Sequence, residues 1–511
     1  MGRPGMAAIS MIFLLSILLS SPIGLRAATP DEDAELGPAD REKLLGYAQN
    51  TWRSLDAMVW PGGIPADHLC RGSDRSWAPS PRTSPTDIAA YLWSVLAAEN
   101  LQIIDADAAR DRLDKTLAAV ARLERSHGFF LNKYDPRTGE RLTKFPPGGS
   151  SIRPFLSTVD NGWLAAALIM IRNSRPQFRD RVDGLMGPMD FGFFYEPYDP
   201  ADPLKHPGQL HGGYYLDDRS YTTPYGMLNT EPRIASYIGI ARGQIPPEHY
   251  DRMFRTLPPG LGRQQQVPAG EARSHGGVSV FEGHYIYRGM KIVPSWGGSM
   301  FEALMVPLFV PEAQWAPESW GVNHRLYVRA QIEHGLDEAS YGFWGFSPAE
   351  KPEGGYRTYG VDAIGAFPDG YTSNNDDTQY DPGRPPGPTY TNGVVTPHAS
   401  FLALPFAPRE AMTNLEGLTG KFAIYGSRGF HDSVNLSSGK VSDCVLALDQ
   451  GMIMAAIANT LADGAMQRAF AEGPIEKAIR PLIAHEKFTA GERDAASGGP
   501  HATPPGRRAN P

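Results

Sequence analysis

The chain has 511 residues, 41% hydrophobic and 20% charged, a globular composition with ample length for a large core. Its net charge of −8 leaves no basic face for a phosphate backbone, which argues against nucleic acid as a main ligand. Fifty-five glycines and 46 prolines spread through the middle imply long, shaped loops between regular elements.

Residues 1–27 have the form of a secretory signal: Arg3, an apolar run from Ala7 to Leu19, and small residues around Ala27. The run is short for a spanning helix and is followed by Ser20, Ser21 and Pro22, so cleavage and export are expected, with no membrane span afterwards. Residues 28–37 form an acidic, polar lead-in read as disordered. Asp40 then reads as the cap of a helix over Arg41–Met58, with Leu44, Leu45, Tyr47, Ala48 and Trp52 on one side. Ser84-Pro85-Thr86-Asp87 combines a cap, an N1 proline and an acidic N3 partner, and opens a helix over Ile88–Glu99. Another helix begins near Asp107 and runs to Arg125.

Ser157-Thr-Val-Asp160-Asn-Gly-Trp163 leads into Leu164–Ile171, apolar all round and therefore buried on most sides. Later helices are expected over Ser299–Leu308, His324–His334 and Met452–Leu461. The longest loop runs from Tyr356 to Asn392, and the polar tail 494–511 reads as disordered. With no βαβ alternation, residues 38–493 read as one all-α domain, a toroid of helical hairpins with functional loops at one rim. Loop aromatics Tyr214, Tyr215, Trp296, Phe343, Trp344 and Tyr371 are candidates for stacking on sugar rings. Cys70 and Cys444 are the two cysteines. A closed toroid would make them neighbours, and a bridge is permitted outside the cytosol but not required.

The stretch Tyr225–Pro246 carries the most chemistry. Ile234, Tyr237, Ile238 and Ala241 recur at helical spacing, and Pro232 suits a first turn, so Glu231 falls at a helix N-terminus. A carboxylate there is either a helix-end charge or an acid whose pKa burial can raise into the working range. Asp160 and Asp449 precede apolar helices, and each reads as a plain N-cap or as a cleft acid. Glu302 reads equally as a buried structural carboxylate paired to an arginine or as a catalytic one. Asp376 and Asp377 read as a solvated turn or a substrate lid. His127, His211 and His398 have no metal-ligand spacing, so no metal or other cofactor is expected, and Gly-x-Ser-x-Gly is absent.

Six stretches occur in a telling order: SPTDIAAYLWSVLAA (84–98), STVDNGW (157–163), LNTEPRIASYIGIARGQIP (228–246), SWGGSMFEALM (295–305), TPHASFLALPFAPREAMTNLEGL (396–418) and ALDQGMI (447–453). Together they resemble the bacterial glucoamylase-like proteins that include endo-β-1,2-glucanases and the cyclising domain of cyclic β-1,2-glucan synthases. The resemblance spans nearly all the mature chain. It implies an (α/α)6 toroid acting on β-1,2-linked glucose chains, inverting in the hydrolases. It places the general acid at Glu231, with the proton passing through a substrate hydroxyl, an acidic cleft position at Asp160 and the base side at Asp449. Trp163, Asn229, Arg233, Trp296, Glu302, Trp344, Tyr371 and Gln450 are the expected substrate-binding positions. The chain departs from relatives at Met452, where proline often stands, and at Gly297, where some have serine. The expectation is a secreted or periplasmic monomeric endo-β-1,2-glucanase. Alternatives are an exo-acting enzyme or transglycosylase on the same or another β-glucan, and a non-catalytic glycan-binding envelope protein.

Overall fold

The computed structural model describes residues 36–146, 148–260, 264–366 and 393–492. The signal segment, most of the lead-in, Tyr371, Asp376, Asp377 and the tail 494–511 lie outside the described residues.

The helices are α1 (Pro38–Ala57), α2 (Pro85–Asn100), α3 (Ala106–Val120), α4 (Thr158–Ser174), α5 (Arg179–Met186), α6 (Arg233–Ala241), α7 (Glu248–Arg252), α8 (Met300–Leu304), α9 (Glu312–Trp315), α10 (Trp320–Glu333), α11 (Pro397–Leu402), α12 (Pro408–Lys421), α13 (Ala447–Leu461), α14 (Ala465–Ala471) and α15 (Pro474–Ile483). The capping box of α2 forms as its sequence dictates: the Ser84 hydroxyl accepts from the Asp87 N–H while the Asp87 carboxylate accepts from the Ser84 N–H. Several helices start earlier than expected, among them Pro85–Asn100, Trp320–Glu333 and Ala447–Leu461. Pro38 opens α1 ahead of Asp40, with Gly37 as cap, and Asp105 rather than Asp107 caps α3. Pro38 suits the first turn, and the Asp105 carboxylate accepts from the Ala108 N–H at 2.8 Å.

α2 packs against α4 and α13, α4 against α6, and α11 against α13 and α8. The α6–α8 link is made by Arg233, which donates to the Ala303 carbonyl at 2.9 Å. Outside this layer α1 covers α13 and α2, α3 covers α2, α5 covers α4, α15 covers α6, α10 covers α8 and α12 covers α11. The result is a two-layer helical toroid. Inner helices are apolar all round because both of their faces are covered: every residue of α2 from Pro85 to Ala98 is buried. Glycines let them pass closely. A Cβ on Gly451 would sit 2.8 Å from the Ala90 Cβ, and one on Gly162 would sit 3.0 Å from the Ala235 Cβ. The glycines of the two acid-bearing motifs are thus packing positions.

The all-α expectation needs correction. Short antiparallel strands precede several inner helices: Phe155–Ser157 pairs with Gly213–Tyr215, Cys444–Leu446 with His68–Arg71, and Val394–Val395 with Val434–Asn435. Strands Ala269–His275, Val278–Tyr287, Met290–Ile292 and Gly491–Glu492 form a four-stranded sheet. Loops that cover buried helix ends must satisfy their own backbone groups, and strand pairing does so. It also buries Tyr214, while Phe343 packs on Phe422 and Trp344 is held by Asn414, so these loop aromatics, which the sequence offered as exposed, are core.

Cys70 faces Cys444 in the strand register, and the two form a disulfide with Cα atoms 4.0 Å apart. The bridge ties the first rim loop to the strand that enters α13. No helix among the described residues is long and apolar enough to cross a membrane.

Candidate active site

The inner helices bring first-turn polar residues to one rim: Asp87 on α2, Asp160 on α4, Glu302 on α8, His398 on α11 and Asp449 on α13, with Glu231 two residues ahead of α6. Helix N-termini carry partial positive charge, which favours anions there. Asp160 and Asp449 lie inside their first turns and do not cap them. Ser157 caps α4, its hydroxyl accepting from the Asp160 N–H at 3.1 Å. The Asp160 carboxylate is left half-buried and accepts from the Thr86 hydroxyl at 2.6 Å.

Glu231 is also half-buried. Its Oε2 accepts from the indole N–H of Trp163 at 3.0 Å. Burial pushes its carboxyl up to about 8. The indole bond opposes this, and the charges of Asp160 and Glu302 add to it. Such a group keeps its proton at neutral pH and can donate it.

Asp449 and Asp432 are both buried and hydrogen-bonded to each other. Burial raises Asp449 to about 7, with the bond from Asp432 holding it down, and raises Asp432 well above the carboxylate range. His398 Nδ1 lies 3.0 Å from Asp449 Oδ2, and burial lowers this imidazole to about 4. Asp67 behaves in the opposite way. Burial pushes it up, but the His68 hydrogen bond and the charges of Lys133 and Arg82 outweigh that and hold it low. Burial, and then the charge of Asp67, push Asp87 up to about 7.

Tyr356 links the two sides of the rim. It is 50% exposed, yet its phenol is held above the usual range by surrounding protein and by the charges of Asp449, Glu231, Asp432 and Asp67. Asp160 reaches the same group through Glu231. The three acids singled out in the sequence thus lie on one rim.

The expected substrate-binding residues divide. Trp296 is half-buried, its ring edge-on to Tyr225. The others that are described lie beneath the surface. Trp163 is fully buried and orients Glu231. Arg233, also fully buried, forms a two-point ion pair with Glu312 at 2.8 and 2.9 Å and stacks on Trp320. Asn229 donates to the Val293 carbonyl, Gln450 to the Phe430 carbonyl, and Trp344 is core. Glu302 accepts from Ser295 Oγ, the Gly297 N–H and Ser299 Oγ, and so shapes the Ser295–Ser299 loop. Sequence patterns do not separate residues that hold the rim from residues that line it. Asp67, Tyr356 and Asp432 were missed, because Asp67 and Asp432 sit in irregular loops and Tyr356 on a two-residue strand, with no periodic or capping signal.

One group of three described side chains, His275, Glu282 and Glu486, could together ligate a cation. It belongs to the four-stranded sheet region, and Arg255 already ion-pairs with both glutamates.

Residues 278–474 match the family model described as "Putative glucoamylase", and residues 47–192 match a model for a protein family of unknown function, DUF3131. Over residues 278–474 the chain resembles the glucoamylase family. It is 27% identical over 331 residues to the cyclic beta-(1,2)-glucan synthase NdvB of Rhizobium meliloti, a match covering 62% of this chain and 10% of that protein. The chain therefore matches about a tenth of that relative's length. Its fold is that of the "putative glucoamylase" from Bacteroides fragilis, with a TM-score of 0.61 at 15% identity over 89% of this chain and 99% of that one. It is also that of the endo-beta-1,2-glucanase from Chitinophaga pinensis, with a TM-score of 0.60 at 16% identity over 87% and 98%. The family resemblance read from the six motifs stands.

Proposed function

We propose that this protein is an exported endo-β-1,2-glucanase, an (α/α)6 glycoside hydrolase with the inner circle α2–α4–α6–α8–α11–α13. Glu231 serves as general acid and Asp449 as general base of an inverting reaction. The observation that carries the reading is the placement of two carboxyls at inner-helix starts: Glu231, bonded to the Trp163 indole, is raised by burial to about 8, and Asp449, bonded to Asp432, to about 7. Inversion needs one protonated and one ionised carboxyl with a water between sugar and base. Likeness to an endo-β-1,2-glucanase fold and to a cyclic β-(1,2)-glucan synthase supports β-1,2-linked glucose as substrate. Trp296 and Tyr356 supply ring surface for a sugar chain, and Asp160, half-buried beside Glu231, is placed to bind a hydroxyl of it.

Glu231→Gln removes the proton and keeps the shape. Positioned acid catalysis is worth on the order of 100- to 10,000-fold, so kcat on β-1,2-glucan should fall at least about a hundredfold with little change in oligosaccharide affinity. A folded variant that keeps more than about a tenth of the rate removes Glu231 from the mechanism. The synthase relative favours one second reading, transfer to another sugar in place of water. New reducing ends, counted against total bonds cleaved, separate hydrolysis from transfer.

A further inference from the structure

We infer that Asp432 is a positioning residue that carries the one proton of a buried carboxyl pair and donates it in a hydrogen bond to Asp449, holding Asp449 as the ionised member. This rests on the proposed role of Asp449 as base.

The geometry is specific. Asp432 is 2% exposed and Asp449 4% exposed, so water cannot screen them from each other. Two buried carboxyls in hydrogen-bond contact cannot both be ionised; one proton must lie between them. Which residue keeps it follows from the surroundings. Asp449 sits in the first turn of α13, where the helix end favours negative charge, and His398 Nδ1 is 3.0 Å from its Oδ2. Asp432 sits in a loop after the strand Gly429–Phe430 and has no helix end. Its Oδ2 accepts the Glu350 N–H at 2.6 Å, and its Oδ1 has no hydrogen-bond partner outside the pair.

The groups facing the pair leave this assignment intact. His398 from α11 is neutral at working pH because burial depresses it. Tyr356, on the two-residue strand Tyr356–Arg357 that pairs with Ala349–Glu350, presents a neutral phenol, and Glu350 contributes its backbone N–H. Glu231 and Asp67 lie around the same opening and are sensed by Tyr356, while Asp87 of α2 faces Asp67 and Asp160. Among the described residues no lysine or arginine comes within ion-pair distance of either carboxyl. With no cation among the described residues to offset a second charge, the shared proton is retained. Direct burial without this donor would push Asp449 further up and leave it protonated at the pH where a base is required.

Three variants test the assignment on β-1,2-glucan. Asp432→Asn keeps an acceptor for Glu350 and an N–H donor for Asp449. It should retain kcat within about threefold and keep the acid limb of the kcat/KM–pH profile in place or lower it. Asp432→Ala removes the donor, so the acid limb should move up by about one pH unit, with activity recovered at higher pH. Asp449→Asn should lose at least about a hundredfold at every pH. The proposal is overturned if Asp432→Asn is as inactive as Asp449→Asn, or if a folded Asp432→Ala leaves the acid limb unmoved. A readout independent of activity accompanies these. Folding of the wild type takes up a proton at Asp432 above its unfolded pKa, so wild-type stability falls as pH rises, and that of Asp432→Asn falls less. The Tm advantage of Asp432→Asn over wild type should widen steadily from pH 5 to 8; a constant difference refutes the protonated assignment. Wild-type protein that cleaves no glucan refutes the hydrolase reading alone, and the melting series then decides the proton.

Discussion

Replacing Trp163 with phenylalanine isolates how the fold tunes its acid. The indole N–H donates to Glu231 Oε2 at 3.0 Å, and this bond favours the ionised carboxylate against the burial that raises it to about 8. A hydrogen bond to a charged group contributes about 1.5–3 kcal/mol and one to a neutral group about 0.5–1.5 kcal/mol. The difference, about 1–1.5 kcal/mol, corresponds to about one pH unit at about 1.36 kcal/mol per unit. Trp163→Phe should therefore move the alkaline limb of kcat/KM upward by about one unit, from near 8 towards 9. Trp163 is fully buried against Trp93 and Phe309, with ring centroids 6.1 and 5.6 Å away, so the smaller ring also leaves a gap costing roughly 1–3 kcal/mol. Trp93→Phe is the control. It makes a similar gap and loses a bond to the Gly451 carbonyl, but does not touch Glu231. Reducing ends released from β-1,2-glucan are measured between pH 5 and 10, with melting curves alongside. An alkaline limb that stays put or falls in Trp163→Phe, or that moves equally in Trp93→Phe, refutes the tuning argument.

Two further predictions concern the scaffold. Removing the Cys70–Cys444 bridge by alanine at both positions frees a loop spanning 374 residues, at a cost of about 2–5 kcal/mol. The wild type, but not the variant, should lose Tm on adding reductant. Arg233→Leu leaves Glu312 buried without its ion-pair partner and should cost about 3–5 kcal/mol in a denaturant titration, with part recovered by adding Glu312→Gln.

Much of the architecture follows from local sequence. The all-apolar segments of α2, α4 and α13 demand cover on both faces, the Ser84–Asp87 capping box fixes where α2 starts, and acids at the starts of α4 and α13 and just ahead of α6 are visible by inspection. These are interactions within a few residues, where spacing alone sets geometry. Tertiary structure decided which of the marked residues can meet a ligand. Arg233, Gln450 and Asn229 sit in the same motifs as the acids, but neighbours far away in the chain cover them, and burial is a property of those neighbours. The same holds for proton placement. Glu231 is tuned by Trp163, 68 residues away, and Asp449 by Asp432 on a separate element. A carboxyl's pKa depends on desolvation and on charges within a few ångströms, and ring closure alone brings those groups together.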